Sequence, residues 1–417
     1  MHSPAVLLSS RFAGGYWINV SVGTPPQPLS MLFNVNKVGS TLMYPVLAQP
    51  PCTDECQEAA RFGSFDPSRS STYEPVTGGA DVWDSEMYMY SEGSDIFTIG
   101  GAQATGPPFR LVPLADEFSA VNEFGWHGTT YKRLVDQGLI ISSSMSMWNT
   151  PETNEAGVLF GGINTAKYHG PLHCFPMDIA FSGSNPRVTL PVSGVDIQLG
   201  NGTSQSDTTT SYDFPESHFG LRTDDTSRSV TYIPRSAAMR LYADLGVSYD
   251  SLYRRVRIPC SWRMEDHTLI FKIGNTTIPA PWTAFVSEEP EDDSDLDSDI
   301  ESGNTCSFNI HPMQEPLSDK YTGELGMNII QHMYLAVDHD TEMACVAPTN
   351  WNPGPDEILE IGPGLRVPDS VGVFPETVTR YTAPTPLVTS VTSTQGAVRT
   401  TVPGMTVAGL AGLVFVM

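Results

Sequence analysis

The sequence predicts a mostly β protein of at least two lobes, on three observations. The chain has 417 residues, more than one small domain uses at roughly 100–200 residues per domain. Apolar residues are 40% of it, enough for a sizeable core and too many for wholesale disorder. Charged residues are only 17%, while Gly (36) and Pro (34) are abundant, a balance that favours short strands and turns over long amphipathic helices. The 22 Lys+Arg against 47 Asp+Glu give a net charge of −25. That argues against nucleic acid as partner and against an anionic membrane surface, because both call for clustered cations.

The elements follow in order. YWINVSV reads as a strand, GTPPQ as a turn and PLSMLFNV as a second strand with β-branched and aromatic residues. Residues 52–73 form a turn-rich loop, and alternating text resumes at SEMYMYSEGSDIFTIGG. A helix is expected at TTYKRLVDQGL, capped by Thr129 or Thr130 and ended by Gly138. GVLFGGI is a strand, and similar text continues to about residue 285. It is broken by one helix at PRSAAMRLYADLG, with Pro234 near its first turn and Gly246 at its end. FKIGNTTIP is a hairpin with its glycine at the turn rather than a phosphate loop.

Residues 288–301 carry nine acids in fourteen positions. Such a run repels itself and reads as a solvated loop, and it lacks the glycine and terminal Glu offsets of an EF-hand. Thr, Ser, Pro and Val dominate residues 366–403, which reads as a stalk. The uncharged end VPGMTVAGLAGLVFVM is short for a membrane helix. Gly396 and Ala397, a brief spacer and this tail are similar to a GPI-attachment signal, with a marginal membrane span and a gene-model artefact as the other readings. Six cysteines, Cys52, Cys56, Cys174, Cys260, Cys306 and Cys345, fit up to three disulfides in an oxidising compartment. The plainer alternative is six buried thiols. Sequons at Asn201 and Asn275 fit secretion, and a third at Asn19 is expected to be buried in its apolar run. MHSPAVLLSSRFAGGYW shows no long apolar stretch of a secretory signal. The nine His are scattered without an H-E-x-x-H, and no G-x-S-x-G elbow occurs. Metal or serine-hydrolase chemistry is therefore not expected, nor any cofactor.

Several segments in order resemble the pepsin-like aspartic peptidases, over about residues 13–350. YWINVSVGTPPQPLSMLF is similar to the family's opening hairpin, and CTDEC with GSFDPSRSSTY to its disulfide loop and the segment that follows. YSEGS, Tyr90 to Ser94, resembles the flap turn over the substrate cleft, with Tyr90 and Gly93 as flap residues. GVLFGGINTAKYHGPL resembles the crossover between lobes, and SVTYIP and ELGMNIIQHMYLAVDHDTEMACVAP resemble the second lobe and its return to the interlobe sheet. The resemblance implies a bilobal acid-protease fold, two β-barrel-like lobes around a central cleft. The parts are an N-terminal segment 1–12, an N-terminal lobe 13–170, a C-terminal lobe 171–350, a stalk 351–401 and a tail 402–417. By family position it implies disulfides Cys52–Cys56 and Cys260–Cys306, and leaves Cys174 and Cys345 as the remaining pair.

The family's chemistry uses one Asp from each lobe, about 3 Å apart and sharing a proton, to activate water and to support the oxyanion. Each Asp sits in a D-T/S-G-T/S turn whose hydroxyl, next to the Asp, ties the two loops together. Counting back from SVTYIP puts Asp225 at the second catalytic position, with Thr226 as the tying hydroxyl and Ser227 in place of the glycine; Asp224 is the alternative if a residue is inserted. In the first lobe, counting from Gln27 lands on Asn34 and counting from Pro45 lands on Asn36, because the loop carries two extra residues. Val35 or Lys37 stands where the tying Thr belongs, and Met43 near a family Trp. An Asn amide cannot move a proton in the needed range. A rate loss of about 10³–10⁴ is expected from general acid–base terms alone.

Three functions follow. One is a secreted or cell-surface pseudopeptidase, monomeric, that binds a peptide, a polysaccharide or a protein partner in the cleft, with membrane attachment through the tail as an option. Another is an active endopeptidase with an Asn/Asp dyad, working at acid pH. The third is a structural surface protein with a vestigial cleft.

Overall fold

The computed structural model describes residues 15–45, 61–76, 82–83, 89–114, 122–150, 155–177, 180–182, 185–200, 208–223, 229–251, 254–288, 305–314, 321–372, 374 and 413–416. Two β lobes are joined by a third sheet that takes strands from both, the bilobal architecture the resemblance implies.

The first lobe opens with the expected hairpin, Trp17–Val22 against Gln27–Val38, in register from Trp17↔Leu32 to Val22↔Gln27. Gly23, at φ 88°, supplies the left-handed residue of the turn. Ile18, Val20 and Val22 face the core, and Asn19 between them is exposed. The expectation of a buried Asn19 is therefore corrected. An apolar run in a strand alternates between two faces, and Asn19 lies on the outer one, where its Oδ1 accepts the Ser30 hydroxyl at 3.0 Å. The sheet runs in the order Trp17–Val22, Gln27–Val38, Glu123–His127, Ser40–Pro45, Ala102–Leu114, Met89–Ile99, Glu74–Pro75. Its first strand also pairs with Met89–Ile99, so the sheet closes on itself. Phe33, Phe97, Phe124 and Trp126 fill it, with Trp126 stacked on Phe160 at 4.5 Å between ring centroids.

Two local expectations change. The helix forms at Thr129–Asp136, but Gly128 is its N-cap and no side chain caps it, because Thr129 and Thr130 already lie in the first turn. Tyr90–Ser94 is no turn: Met89–Ile99 is one strand, paired with Ala102–Leu114 from Ser91↔Leu111 to Ile99↔Ala102. Gly93 serves packing instead, since a Cβ there would come within 2.3 Å of the Tyr73 ring. Val82↔Tyr90 and Trp83↔Met89 pair antiparallel, and residues 84–88 between them fall outside the described residues.

In the second lobe the order is Thr276–Pro281, His267–Ile273, Thr189–Leu199, Thr208–Leu221, Tyr321–Leu325, Thr231–Ile233, Ile310–Pro312. The helix Arg235–Leu245 follows Pro234 and ends at Gly246, φ 69°. The FKIGNTTIP hairpin forms as expected, with exposed Asn275 at its turn. The disulfide Cys260–Cys306 pins Cys260–Met264 to the strand Thr305–Phe308.

The shared sheet runs Ser370–Gly372, Leu172–Pro176, Met343–Pro348, Met333–Asp338, Ser144–Thr150, Glu155–Phe160, Leu413–Val416. Every residue of Met333–Asp338 is buried, as in a strand covered on both faces. Cys174 and Cys345 are direct register partners in it and form the expected disulfide. Residues 351–372 were expected to open the stalk, yet they fold onto this sheet. Ile358–Glu360 pairs with Gly162–Asn164, Ser370–Gly372 pairs with Leu172–Pro176, and Ile361 and Val367 are buried. The body therefore extends past residue 350, because the apolar positions in this Pro-rich stretch have a surface to cover. Of the tail, Leu413–Val416 adds an antiparallel strand to Glu155–Phe160. Among the described residues no helix is long and apolar enough to cross a membrane. Cys52, Cys56, Asn201 and residues 289–301 of the acidic run lie outside the described residues.

Candidate active site

The two lobes meet where the strand Gln27–Val38 passes the end of Thr208–Leu221. Asn34, Val35 and Asn36 are all buried there, at 4%, 0% and 5% exposure. Asn34 Oδ1 accepts the Asn36 N–H at 2.9 Å and the Thr223 hydroxyl at 3.4 Å. Thr223 Oγ1 in turn accepts the Val35 N–H at 3.2 Å. The Asn36 amide reaches further: its Nδ2 donates to the Leu221 carbonyl at 2.6 Å, and its Oδ1 accepts the Val188 N–H at 2.8 Å. All but the Asn36–Asn34 bond cross from one lobe to the other. An amide carries both donors and an acceptor and can bridge in this way, whereas an ionised carboxylate could only accept.

Asn34 and Asn36, the two positions between which sequence counting could not choose, are thus brought together, and both work at the junction. Asp225, Thr226 and Ser227 lie in residues 224–228, outside the described residues. The hydroxyl that ties the lobes among the described residues is Thr223, which sequence counting missed. The signal for it was the apolar run HFGL, which places the end of the strand one residue before Arg222 and two before Thr223.

Charge surrounds this core in pairs. Lys37 is bonded to Glu123 in the first lobe. Arg222 Nη1 lies 3.2 Å from Glu324 Oε2 in the second, with its guanidinium 5.4 Å from the Tyr232 ring centroid. The Tyr321 hydroxyl donates to the other Glu324 oxygen at 2.9 Å. Each carboxylate lies two residues before a glycine, Gly125 and Gly326. Each glycine passes so close beneath its own loop that a Cβ would strike backbone, Gly39 O in one case and Val230 O at 2.3 Å in the other. Asn122 braces the first loop by accepting the Met43 N–H at 2.8 Å. Thr231 braces the second by accepting the Gly326 N–H at 3.1 Å and bonding Asn328. Among the described residues, the side chains that join the lobes here are Asn34, Asn36 and Thr223, two amides and a hydroxyl.

Two titrating groups lie away from this core, at the two ends of Met333–Asp338. Burial pushes the Asp338 carboxyl up to about 6, against hydrogen bonds from the Thr341 hydroxyl and the Asp340 N–H that act the other way. Burial pushes His332 down to about 4. Its ring packs edge-on against Trp351 at 5.2 Å, and neither ring nitrogen has a partner among the described residues.

Comparison with known proteins points one way. The family model described as eukaryotic aspartyl protease matches residues 114–349, a stretch that begins after Asn34. The chain is 28% identical to the "probable aspartic-type endopeptidase opsB" of Aspergillus fumigatus, over 94% of this chain and 80% of that one. It is 27% identical to the OPSB protein of Arthroderma benhamiae, over 93% and 78%. It is 24% identical to "secreted aspartic protease 8" of Candida albicans, over 69% and 64%.

Proposed function

From the premise that the chain belongs to the eukaryotic aspartyl protease family, we propose that it is a secreted or cell-surface pseudopeptidase that binds a peptide or a partner protein in its interlobe cleft. The observation that carries this reading is Asn34. Counting from Gln27 puts the first catalytic Asp there, and counting from Pro45 puts it at Asn36; both are buried amides, and the Asn34 oxygen takes the Asn36 N–H and the Thr223 hydroxyl. An amide neither accepts a proton from water nor returns one to a leaving group. Among the described residues both lobes, the crossed hydrogen bonds and the two glycine-backed loops are present, which supports a cleft between the lobes in which a chain could lie. The names of the relatives, endopeptidase and secreted protease, support surface or extracellular placement and carry the alternative of an active enzyme.

The test uses the purified chain, a denatured protein at pH 3–5, and an immobilised library of extended peptides. The expected result is retention of peptides without cleavage. Cleavage that Asp225→Ala abolishes would establish the active alternative. A chain that neither cuts nor retains any peptide refutes binding in the cleft.

A further inference from the structure

The structure assigns Arg222 to the place in the second lobe that Asn34 fills in the first, so that both acids of the ancestral pair are gone rather than one. This deepens the reading of an impaired site but rests on backbone pairing, not on any failure to cleave.

Three independent registers agree. In the first lobe Gln27–Val38 lies parallel to Glu123–His127, with Leu32↔Glu123, Phe33↔Phe124 and Asn34↔Gly125. In the second, Thr208–Leu221 lies parallel to Tyr321–Leu325, with Gly220↔Glu324 and Leu221↔Leu325. The next step sets Arg222 beside Gly326, as its N–H bond to the Leu325 carbonyl at 2.8 Å requires. The second register comes from the returning strands. Ser40–Pro45 meets Glu123 through Thr41, antiparallel, and Thr231–Ile233 meets Glu324 through Tyr232, also antiparallel. Glu123 therefore corresponds to Glu324 and Gly125 to Gly326. The third is the tie itself. Thr223 Oγ1 accepts the N–H of Val35 at 3.2 Å, so Val35 and Thr223 face each other across the junction, and the residues that precede them are Asn34 and Arg222.

The chemistry at the paired position is changed in kind. Two like-charged carboxyls held together share a proton. On this assignment a neutral amide holds one of the paired positions and an arginine the other, its guanidinium matched by Glu324, which Tyr321 also bonds. The first lobe repeats the arrangement, with Lys37 matched by Glu123. With an amide at one paired position and an arginine at the other, neither position carries a proton to share. From Arg222 to Pro234 the second loop spans 12 residues and from Asn34 to Pro45 the first spans 11. The extra length explains why counting back from Pro234 reaches Asp225 instead.

The experiment introduces one carboxyl and reads its surroundings. Asn34→Asp keeps size and shape, and its side-chain carboxyl carbon is followed by NMR against pH in three backgrounds: alone, with Arg222→Gln and with Asp225→Asn. Burial weakens the new carboxyl as an acid while its two hydrogen bonds and the cation at the paired position strengthen it, so the decisive readings are differences between backgrounds, and the carboxyl should titrate in one step. Arg222→Gln should make it a weaker acid by roughly tenfold, and Asp225→Asn should leave it unchanged. A new carboxyl that Arg222→Gln leaves unmoved, or that titrates in two steps which Asp225→Asn collapses to one, overturns the assignment and puts Asp225 opposite Asn34. A crystal structure of the unaltered chain reads the same point without any variant. Thr223 at the Val35 N–H supports the assignment, and Thr226 in that place ends it. Proteolysis by the unaltered chain would overturn the proposed function while leaving this register to be decided by the titration.

Discussion

Replacing His332 by Phe should make the fold more acid-stable, by an amount the two ends of one strand fix. His332 is buried and without polar partners, and it ionises at about 4 instead of the ordinary 6.5. A base whose folded value is depressed contributes stability that is fully present above 6.5 and drains away as pH falls towards 4. At about 1.36 kcal/mol for each tenfold change in proton affinity, the gap amounts to about 3.4 kcal/mol in all. Asp338 acts in the opposite sense. Its folded value is raised from 3.8 to about 6, so its contribution is full below 3.8 and is lost as pH rises to 6, about 3 kcal/mol in all. Between pH 6 and 4 each group moves stability by about 2 kcal/mol, and the two nearly cancel. Urea unfolding at pH 4, 5 and 6 is the assay. The unaltered chain should show little slope from these groups. His332→Phe, which keeps an aromatic edge on Trp351, should gain about 2 kcal/mol on acidification relative to it, and Asp338→Asn should lose about as much. Curves for His332→Phe and the unaltered chain that run parallel across this range would refute the reasoning.

Two further perturbations follow from the junction and the shared sheet. Thr223→Val removes the acceptor of the Val35 N–H and the donor to Asn34 Oδ1. It should cost about 1–3 kcal/mol, measured by thermal unfolding, and Asn34→Asp should not rescue it, since the lost hydroxyl serves the backbone as well. Cys174→Ser with Cys345→Ser opens a crosslink between residues 171 apart in sequence and should cost about 2–5 kcal/mol, seen as a lower urea midpoint under oxidising conditions and no change under reducing ones.

The opening hairpin, the helix before Gly246 and two cysteine pairs were legible because each rests on local chemistry or on a motif that tolerates no shift. A left-handed glycine closes a turn or a helix wherever it occurs, and Cys174 and Cys345 lie in strands that the resemblance already placed in one sheet. The turn expected at Tyr90–Ser94 lies within a strand, and the Thr223 tie was missed; a motif placed the one, and counting passed over the other. Gly93 looked like a turn residue, yet its missing side chain makes room for the Tyr73 ring. Thr226 was reached by counting from Pro234, and a loop can lengthen without disturbing the anchors at either end. Only strand pairing reveals which hydroxyl faces Val35. Asn19 failed differently, since a run of apolar letters does not say which face of the strand each residue takes.

The strand Leu413–Val416 has a consequence of its own. It occupies the outer rim of the sheet, against Gly157 to Phe160. Loss of residues 402–417 would leave the amide and carbonyl groups of that rim without their partner, and a strand with an open rim recruits whatever extended segment it meets. In the full chain Leu413–Val416 is itself the outermost strand of that sheet, so trimming would move the open rim inward to Glu155–Phe160, where a second copy or a foreign segment could pair with it. Cutting at the far end of the sequence would change which strand offers that rim, and with it which side chains flank an incoming segment.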